Sequence, residues 1–285
     1  MHPGAAHDDI PVNQAADSEA TGWLGRLDLT FARRNRRTAM VRCSHSGPFT
    51  VQRAFYPEED HPHVYLLHPP GGVVGGDRLE LSVRLEQGSH AVLTMPGATK
   101  FYRSAGAEAR LRQKFLLEED SVLEWLPQGN IFFPAANVAI NSEFTLHAGA
   151  RLLGFETLCL GRPVMGEAFE QGRLNSLLRI HCPGSAGLYE RLEIQGGMLN
   201  KLADYPLVGT FFATPASVEM LDKVRALLAR FNPPVAGATL LDTLLMVRLL
   251  DDDNQRLQEI LHGVWALLRP QMLGREAVPP RIWST

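Results

Sequence analysis

Three acids stand inside apolar, strand-like runs: Glu124 in "VLEWL" (122–126), Glu156 in "LLGFETLCLG" (152–161) and Glu190 in "GLYERL" (187–192). A carboxylate in such a run either faces solvent or is a costly buried charge that needs a partner. Arg162 and Arg191 are candidate partners, so structural ion pairs are one reading. Carboxylates that meet in space would instead be equipped for acid–base chemistry. A fourth acid, Asp77, closes "HPPGGVVGGD" (68–77), where Gly71 and Gly76 have the spacing of a Walker A phosphate loop. That motif then requires Lys and Ser/Thr, and here Asp77 and Arg78 stand instead. A strand-like segment on each side leaves no helix N-terminus for an anion. The stretch is expected to be a shaped β-to-β connection whose carboxylate caps the turn or serves chemistry.

The ten histidines form no His-Glu-x-x-His and no His-x-x-His. His61-Pro62-His63, beside Glu58, Glu59 and Asp60, reads as a solvated loop rather than a metal site, because dedicated sites converge from rigid elements. His68 ends a strand. No Gly-x-Ser-x-Gly is present, and no local pattern marks a Ser or Cys nucleophile. The basic run "RRNRR" (33–37) reads as a charged hairpin tip. The three cysteines, Cys43, Cys159 and Cys182, are odd in number and lack a Cys-x-x-Cys. They argue against a disulfide framework and suit a reducing cytoplasm.

Strands must position most of these residues. From residue 24 to 212 the chain reads as short strands separated by Gly, Pro, Asp or Ser. In "LELSVRLE" (79–86), Leu79, Leu81, Val83 and Leu85 face one way and Glu80, Ser82, Arg84 and Glu86 the other. Leu111, Gln113, Phe115 and Leu117 repeat the alternation. "LEQGSHAVL" (85–93), "LEEDSVLEW" (117–125) and "LHAGARLLG" (146–154) share a leucine, a turn and an apolar run. Repeated units of this kind predict a coiled β solenoid or a two-sheet sandwich.

The C-terminal third changes period. Residues 215–231 place Val218, Leu221, Val224, Leu228 and Phe231 on one helical face. Residues 253–268 do the same with Leu257, Ile260, Leu261, Val264, Trp265 and Leu268, and Pro270 is expected to end that helix. "TLLDTLLMVRLL" (239–250), between them, fits a buried strand or a helix, and strand is favoured because Pro233, Pro234 and Gly237 precede it and an acidic turn follows. The expected architecture is mainly β, with about two helices near the end.

With 285 residues, 45% of them apolar and 21% charged, the chain has an ordinary globular composition and can bury a sizeable core. A net charge of −3 points away from nucleic acid, and no run approaches the ~18 apolar residues of a membrane helix. Residues 1–22 carry Asp8, Asp9, Asp17 and Glu19 with no Lys or Arg. They are read as a disordered acidic tail rather than a signal peptide, ahead of a single domain at 23–285.

Several stretches taken together carry a resemblance. They are "GPFTVQRAFYPEE" (47–59), "YLLHPPGGVVGGDRL" (65–79), "LTMPGATKFYRS" (93–104), "LEWLPQGNIFFPAAN" (123–137), "LCLGRPVMGEAF" (158–169), "YERL" (189–192) and "LRP…PRIWST" (268–285). In this order they resemble the urease accessory protein D family. The resemblance implies a β-helix-like fold of many strands with two helices. It implies a non-enzymatic maturation factor that binds the urease apoprotein and accessory proteins F and G, the latter a GTPase, in a dimer of heterotrimers. No permanent cofactor is implied, only transient nickel carried through an internal passage. Carried over by motif, Asp77, Glu156 and Glu190 are the expected metal-handling positions, with His68, Thr99 and Glu167 as weaker ones. Two departures stand out: Gly129 after "LPQ", and Arg78 after the glycine-loop aspartate, are places where family members often carry an acid. "IFFPAAN" (131–137) and the C-terminal helices offer apolar surface to partners, although Phe132 or Phe133 would serve equally as core. The competing readings are a β-rich metal-dependent enzyme using Asp77, Glu156 and Glu190, and a scaffold without nickel affinity.

Overall fold

The computed structural model describes residues 22–284, so the expected acidic tail lies, apart from Gly22, outside the described residues. The chain runs β1 (Leu24–Arg34), β2 (Arg37–Ser46), β3 (Thr50–Val51), β4 (His63–Leu67), β5 (Arg78–Leu85), β6 (His90–Thr94) and β7 (Thr99–Phe101). It continues through β8 (Ala109–Leu117), β9 (Val122–Leu126), β10 (Asn130–Phe132), β11 (Asn137–Leu146), β12 (Arg151–Arg162), β13 (Glu167–Ala168), β14 (Arg173–His181) and β15 (Leu188–Gln195). Then come β16 (Leu207–Thr214), α1 (Val218–Phe231), β17 (Val235–Leu241), β18 (Leu244–Asp251) and α2 (Asn254–Leu273). The fold is mainly β with two α-helices near the end, as the residue periods predict.

The strands form two facing layers. One has the order β15-β14-β11-β8-β5-β1-β2; the other has β17-β18-β16-β12-β9-β6-β4-β3. Within the first, β1, β5, β8, β11 and β14 run parallel. Within the second, β4, β6, β9 and β12 also run parallel. The chain therefore coils from layer to layer, and each turn of the coil stacks on the last.

The three echoed segments are the corners of successive coils. Leu85 pairs with Leu117 and Leu117 with Leu146 on one side of the corner. His90 pairs with Val122 and Val122 with Arg151 on the other. Ser89 and Ser121 occupy the same place in consecutive corners. Each is buried and bonds the carbonyl three residues back, Glu86 at 2.6 Å and Glu118 at 2.7 Å. The repeat is thus a turn whose buried hydroxyl satisfies its own backbone.

Alternation fills the space between the layers with two apolar clusters. One gathers Leu27, Phe31, Leu93, Phe115, Trp125, Phe144 and Phe212. The other gathers Val73, Leu79, Phe101, Leu111, Phe132, Ile140 and Leu160. A third cluster packs the outer face of the second layer against α1 and α2. Leu221, Val224 and Leu228 of α1 are buried, whereas Val218 is 64% exposed. The segment 239–250 is a hairpin rather than one strand: β17 and β18 meet at Asp242, whose φ is 53°.

Pro270 does not end α2. The helix continues to Leu273 and is capped by Gly274, whose N–H bonds the Pro270 carbonyl at 2.9 Å. Arg269, bonded by its side chain to Glu58 and Glu124, holds that last turn in place. The "RRNRR" run is the β1–β2 turn, as expected. All three cysteines are free thiols, and no described helix is long and apolar enough to cross a membrane.

Candidate functional site

Glu156 sits on β12 and points between the layers, because its carboxylate accepts a 2.7 Å bond from the Ser142 hydroxyl of β11. Ser142 in turn accepts from the Gln113 side chain of β8 at 2.9 Å. Gln113 and Ser142 are buried, and Glu156 keeps some exposure. Burial pushes the Glu156 carboxyl up to about 7, against the lowering effect of Ser142 and the neighbouring Trp125 indole. The buried Trp125 Nε1 makes no hydrogen bond of good geometry. No cation pairs with Glu156 among the described residues.

Strand register extends this point into a row. Glu156 lies opposite Thr210 of β16, and Thr210 opposite Arg248 of β18. Directly paired residues share a face of the sheet, so all three look into the interlayer space. Arg248 then reaches back to the first layer, where its guanidinium forms an ion pair with Glu190 of β15. The row Gln113–Ser142–Glu156–Thr210–Arg248–Glu190 separates the two interlayer clusters. Flanking residues such as Leu158, Leu178 and Phe212 are buried, whereas Glu156 and Thr210 are half-buried and Arg248 is exposed. The row is therefore a polar seam that opens to water at the edge of the sandwich.

The remaining expected positions lie elsewhere. Both Asp77 oxygens accept backbone N–H groups, from Trp23 at 2.8 Å and Val74 at 3.0 Å. The acid thus caps the glycine loop and ties it to the start of β1. The cap demands tight backbone approach: Gly76 has φ 93°, and a side chain on Gly22 would collide with it. His68 and Asp77 line one cleft of about 310 Å³, and His68 and Thr99 line an adjoining one of about 280 Å³. Burial lowers the His68 pKa, partly offset by Asp77. Glu167 is taken up by Arg162 across the β12–β13 hairpin. The structure thus brings His68, Asp77 and Thr99 to one end and Glu156 and Glu190 to one seam, and no two of the expected carboxylates are within contact of each other. Phe132 is core, stacked on Phe101, while Phe133 lies half-buried under Arg162.

The expected partners of the inward acids need correction. Arg162 pairs with Glu167 and Arg191 with Glu193. Glu190 is served by Arg248, and Glu124 by a residue from the far end of the chain. Glu124 is fully buried and accepts from Trp265 Nε1 at 2.6 Å and from Arg269 Nε at 2.9 Å. Its carboxylate also meets His90 Nε2 at 2.8 Å. Burial alone would raise Glu124, but His90 and Arg269 outweigh it and hold the acid at about 2.

The solvated-loop reading of residues 58–63 is also overturned. His61 is 0% exposed and His63 2%. Arg269 grips Glu58 through Nη1 at 3.1 Å and Nη2 at 2.5 Å. Asp60 binds His61 Nδ1 at 2.8 Å and is itself held by Arg275. Loop polarity misled because the neutralising arginines arrive on the last helix and the segment after it. A His-x-His beside three acids, with an arginine set directly after the apolar face of the last helix, was the available signal.

Fold and site define a protein of the coiled-β class whose interior acids are held by hydrogen bonds and ion pairs from distant strands and the last helix. Comparison with known proteins makes the class specific. Residues 24–284 match the family model described as UreD urease accessory protein, and the chain belongs to that family. It is 58% identical over 264 residues to the urease accessory protein UreD of Pseudomonas putida (strain W619), covering 93% of this chain and 95% of the relative. It is 49% identical to that of Klebsiella aerogenes, over 93% of this chain and 97% of the relative. The match to that of Citrobacter koseri is 49% and spans 100% of both.

Proposed function

We propose that this chain is a cytoplasmic maturation factor for urease. It binds the urease apoprotein together with accessory proteins F and G, the latter a GTPase, in a dimer of heterotrimers, and helps deliver nickel to the enzyme. The family match along nearly the whole described chain supports the urease link. The observation that carries nickel passage is Glu156: an interior carboxylate without a counter-cation, on a polar row that reaches solvent. Nickel accepts carboxylate, hydroxyl and water oxygens. A conduit must bind its ion well enough to admit it and weakly enough to release it. Single oxygens from Ser142, Glu156 and Thr210, spaced along a seam, suit that task better than a closed cage. Arg248, paired with Glu190, stands at the outer end and competes with any cation for that acid. Asp77, His68 and Thr99 line the clefts at the glycine-loop end and are proposed as a second approach.

The test is urease activation in cells that make the enzyme with and without this chain. Without it, urease should remain inactive and poor in nickel; full activation would overturn the maturation role. Glu156→Gln should lower the nickel content of urease while leaving binding to accessory protein F unchanged. Undiminished loading by that variant would refute the passage and leave a scaffold role. Calorimetric titration of nickel into the purified chain and into its Glu156→Gln variant separates the two, because a scaffold alone predicts the same heat for both.

A further inference from the structure

We propose that Glu58, His61 and His63 form a binding site for a divalent transition-metal ion, away from the seam and independent of the urease reading. Glu58, His61 and His63 each offer one ligand atom within 4.8 Å of the others'. Glu58 Oε2 is 3.0 Å from His61 Nε2 and 3.6 Å from His63 Nε2. Metal–ligand bonds of about 2.1 Å bring ligand atoms to roughly 3–3.5 Å from one another, so the carboxylate oxygen already stands at the right separation from both imidazoles.

Three observations point to a cation site. First, His63 Nε2 is buried and has no hydrogen-bond partner. A buried polar atom of this kind is costly unless something binds it. Second, Asp60 fixes the hydrogen of His61 on Nδ1, at 2.8 Å. Its Nε2 then faces the Glu58 oxygen at 3.0 Å, and Arg269 Nη2 is the positive group beside the two, 2.5 Å from that oxygen and 3.5 Å from that nitrogen. A carboxylate behind a histidine is also the usual outer support of a metal ligand. Third, three carboxylates of the network, Glu58, Asp60 and Glu124, face two guanidinia, Arg269 and Arg275. The three acids thus share two guanidinia, and the imidazoles of His61, His63 and His90 are their further partners.

Arg269 does not close the site. It holds Glu58 Oε1 through Nη1 and Glu124 through Nε. A metal on Glu58 Oε2 and His61 Nε2 displaces Nη2 from both, while the Nη1 and Nε bonds remain. The guanidinium charge weakens binding and keeps the ion exchangeable. Two imidazoles with one carboxylate select zinc, nickel or cobalt over calcium and magnesium. A cleft of about 210 Å³, lined by Asp60, Asp120, His90, Arg33, Arg151 and Arg275, reaches the back of the cluster. There His90 stacks on His61 with ring centres 3.7 Å apart.

Cobalt(II) titration of the purified, untagged, chelator-stripped full chain tests the site, read by visible d–d absorption. Glu156→Gln provides the background, so the seam contributes nothing. One equivalent should bind, and His63→Gln should weaken it at least tenfold. Retention of full affinity in His63→Gln overturns the proposal, as does the absence of cobalt binding, which would leave a protonated imidazole as the missing charge. Should His63→Gln fail to fold, X-ray absorption of the cobalt-loaded background protein decides. Two imidazole ligands support the site, and fewer overturn it.

Discussion

Replacing Glu156 by Gln should make the protein more stable above neutral pH and leave it unchanged in acid. The carboxyl is raised to about 7 from an ordinary 4.5, with burial as the leading cause. Between these values the folded state binds more protons than the unfolded one, so wild-type stability falls as pH rises through the window. Above about pH 7 the ionised acid costs about 3 kcal/mol, and residual exposure with solvent screening reduces this to about 2 kcal/mol. Gln keeps an oxygen for the Ser142 hydroxyl and never ionises. Urea denaturation at about pH 4.5, 6 and 8 should therefore give matching midpoints in acid. At the highest pH the variant should be more stable by about 2 kcal/mol. Nickel should reduce that gap in the wild type alone, with a proton released on binding near pH 6, detectable as heats that depend on the buffer. Parallel pH profiles for the two proteins would show that Glu156 ionises as an ordinary surface acid, and the account of the seam would fail.

Arg269→Met should cost about 3–5 kcal/mol in denaturant unfolding, because Glu58 and Glu124 lose the charge that offsets their burial; a loss below 1 kcal/mol would mean the network is not what holds the end of α2. Asp77→Ala should cost about 1–2 kcal/mol by freeing two backbone N–H groups. Its amide exchange should quicken at Trp23 and Val74, with Asp77→Asn intermediate. Gly129→Ala should cost about 1–3 kcal/mol, since φ is 92° and a Cβ would strike the Thr157 hydroxyl. Unchanged thermal melting would show that this loop has another backbone available.

Local chemistry made much of the coil visible in advance. Leu79, Leu81, Val83 and Leu85 alternate because one face of β5 is buried, and the corner repeat survives because Ser89 and Ser121 each satisfy their own turn. The failures share one physical cause. Glu58 and His61 are buried by Arg269, which lies 211 and 208 residues further along the chain. Glu190 finds Arg248 across 58 residues. Periodicity reports which face of an element is apolar; it carries no information about which distant charge will arrive to neutralise an acid. Pro270 misled for a related reason, since its local stop signal was outweighed by the anchoring of Arg269. The seam was half visible: Glu156 and Glu190 stood out as acids in apolar runs, but only register joins them through Thr210 and Arg248.

Neighbouring strands of a sheet lie about 4.8 Å apart, so the seam is graduated. Glu156, Thr210 and Arg248 occupy adjacent strands, so the polar groups along them stand in equal steps set by backbone hydrogen bonding rather than by side-chain length. Thr210→Val would remove one graduation and leave about 10 Å between the Glu156 and Arg248 strands without a polar side chain. The spacing of polar groups inside the molecule is thus inherited from the pitch of the sheet.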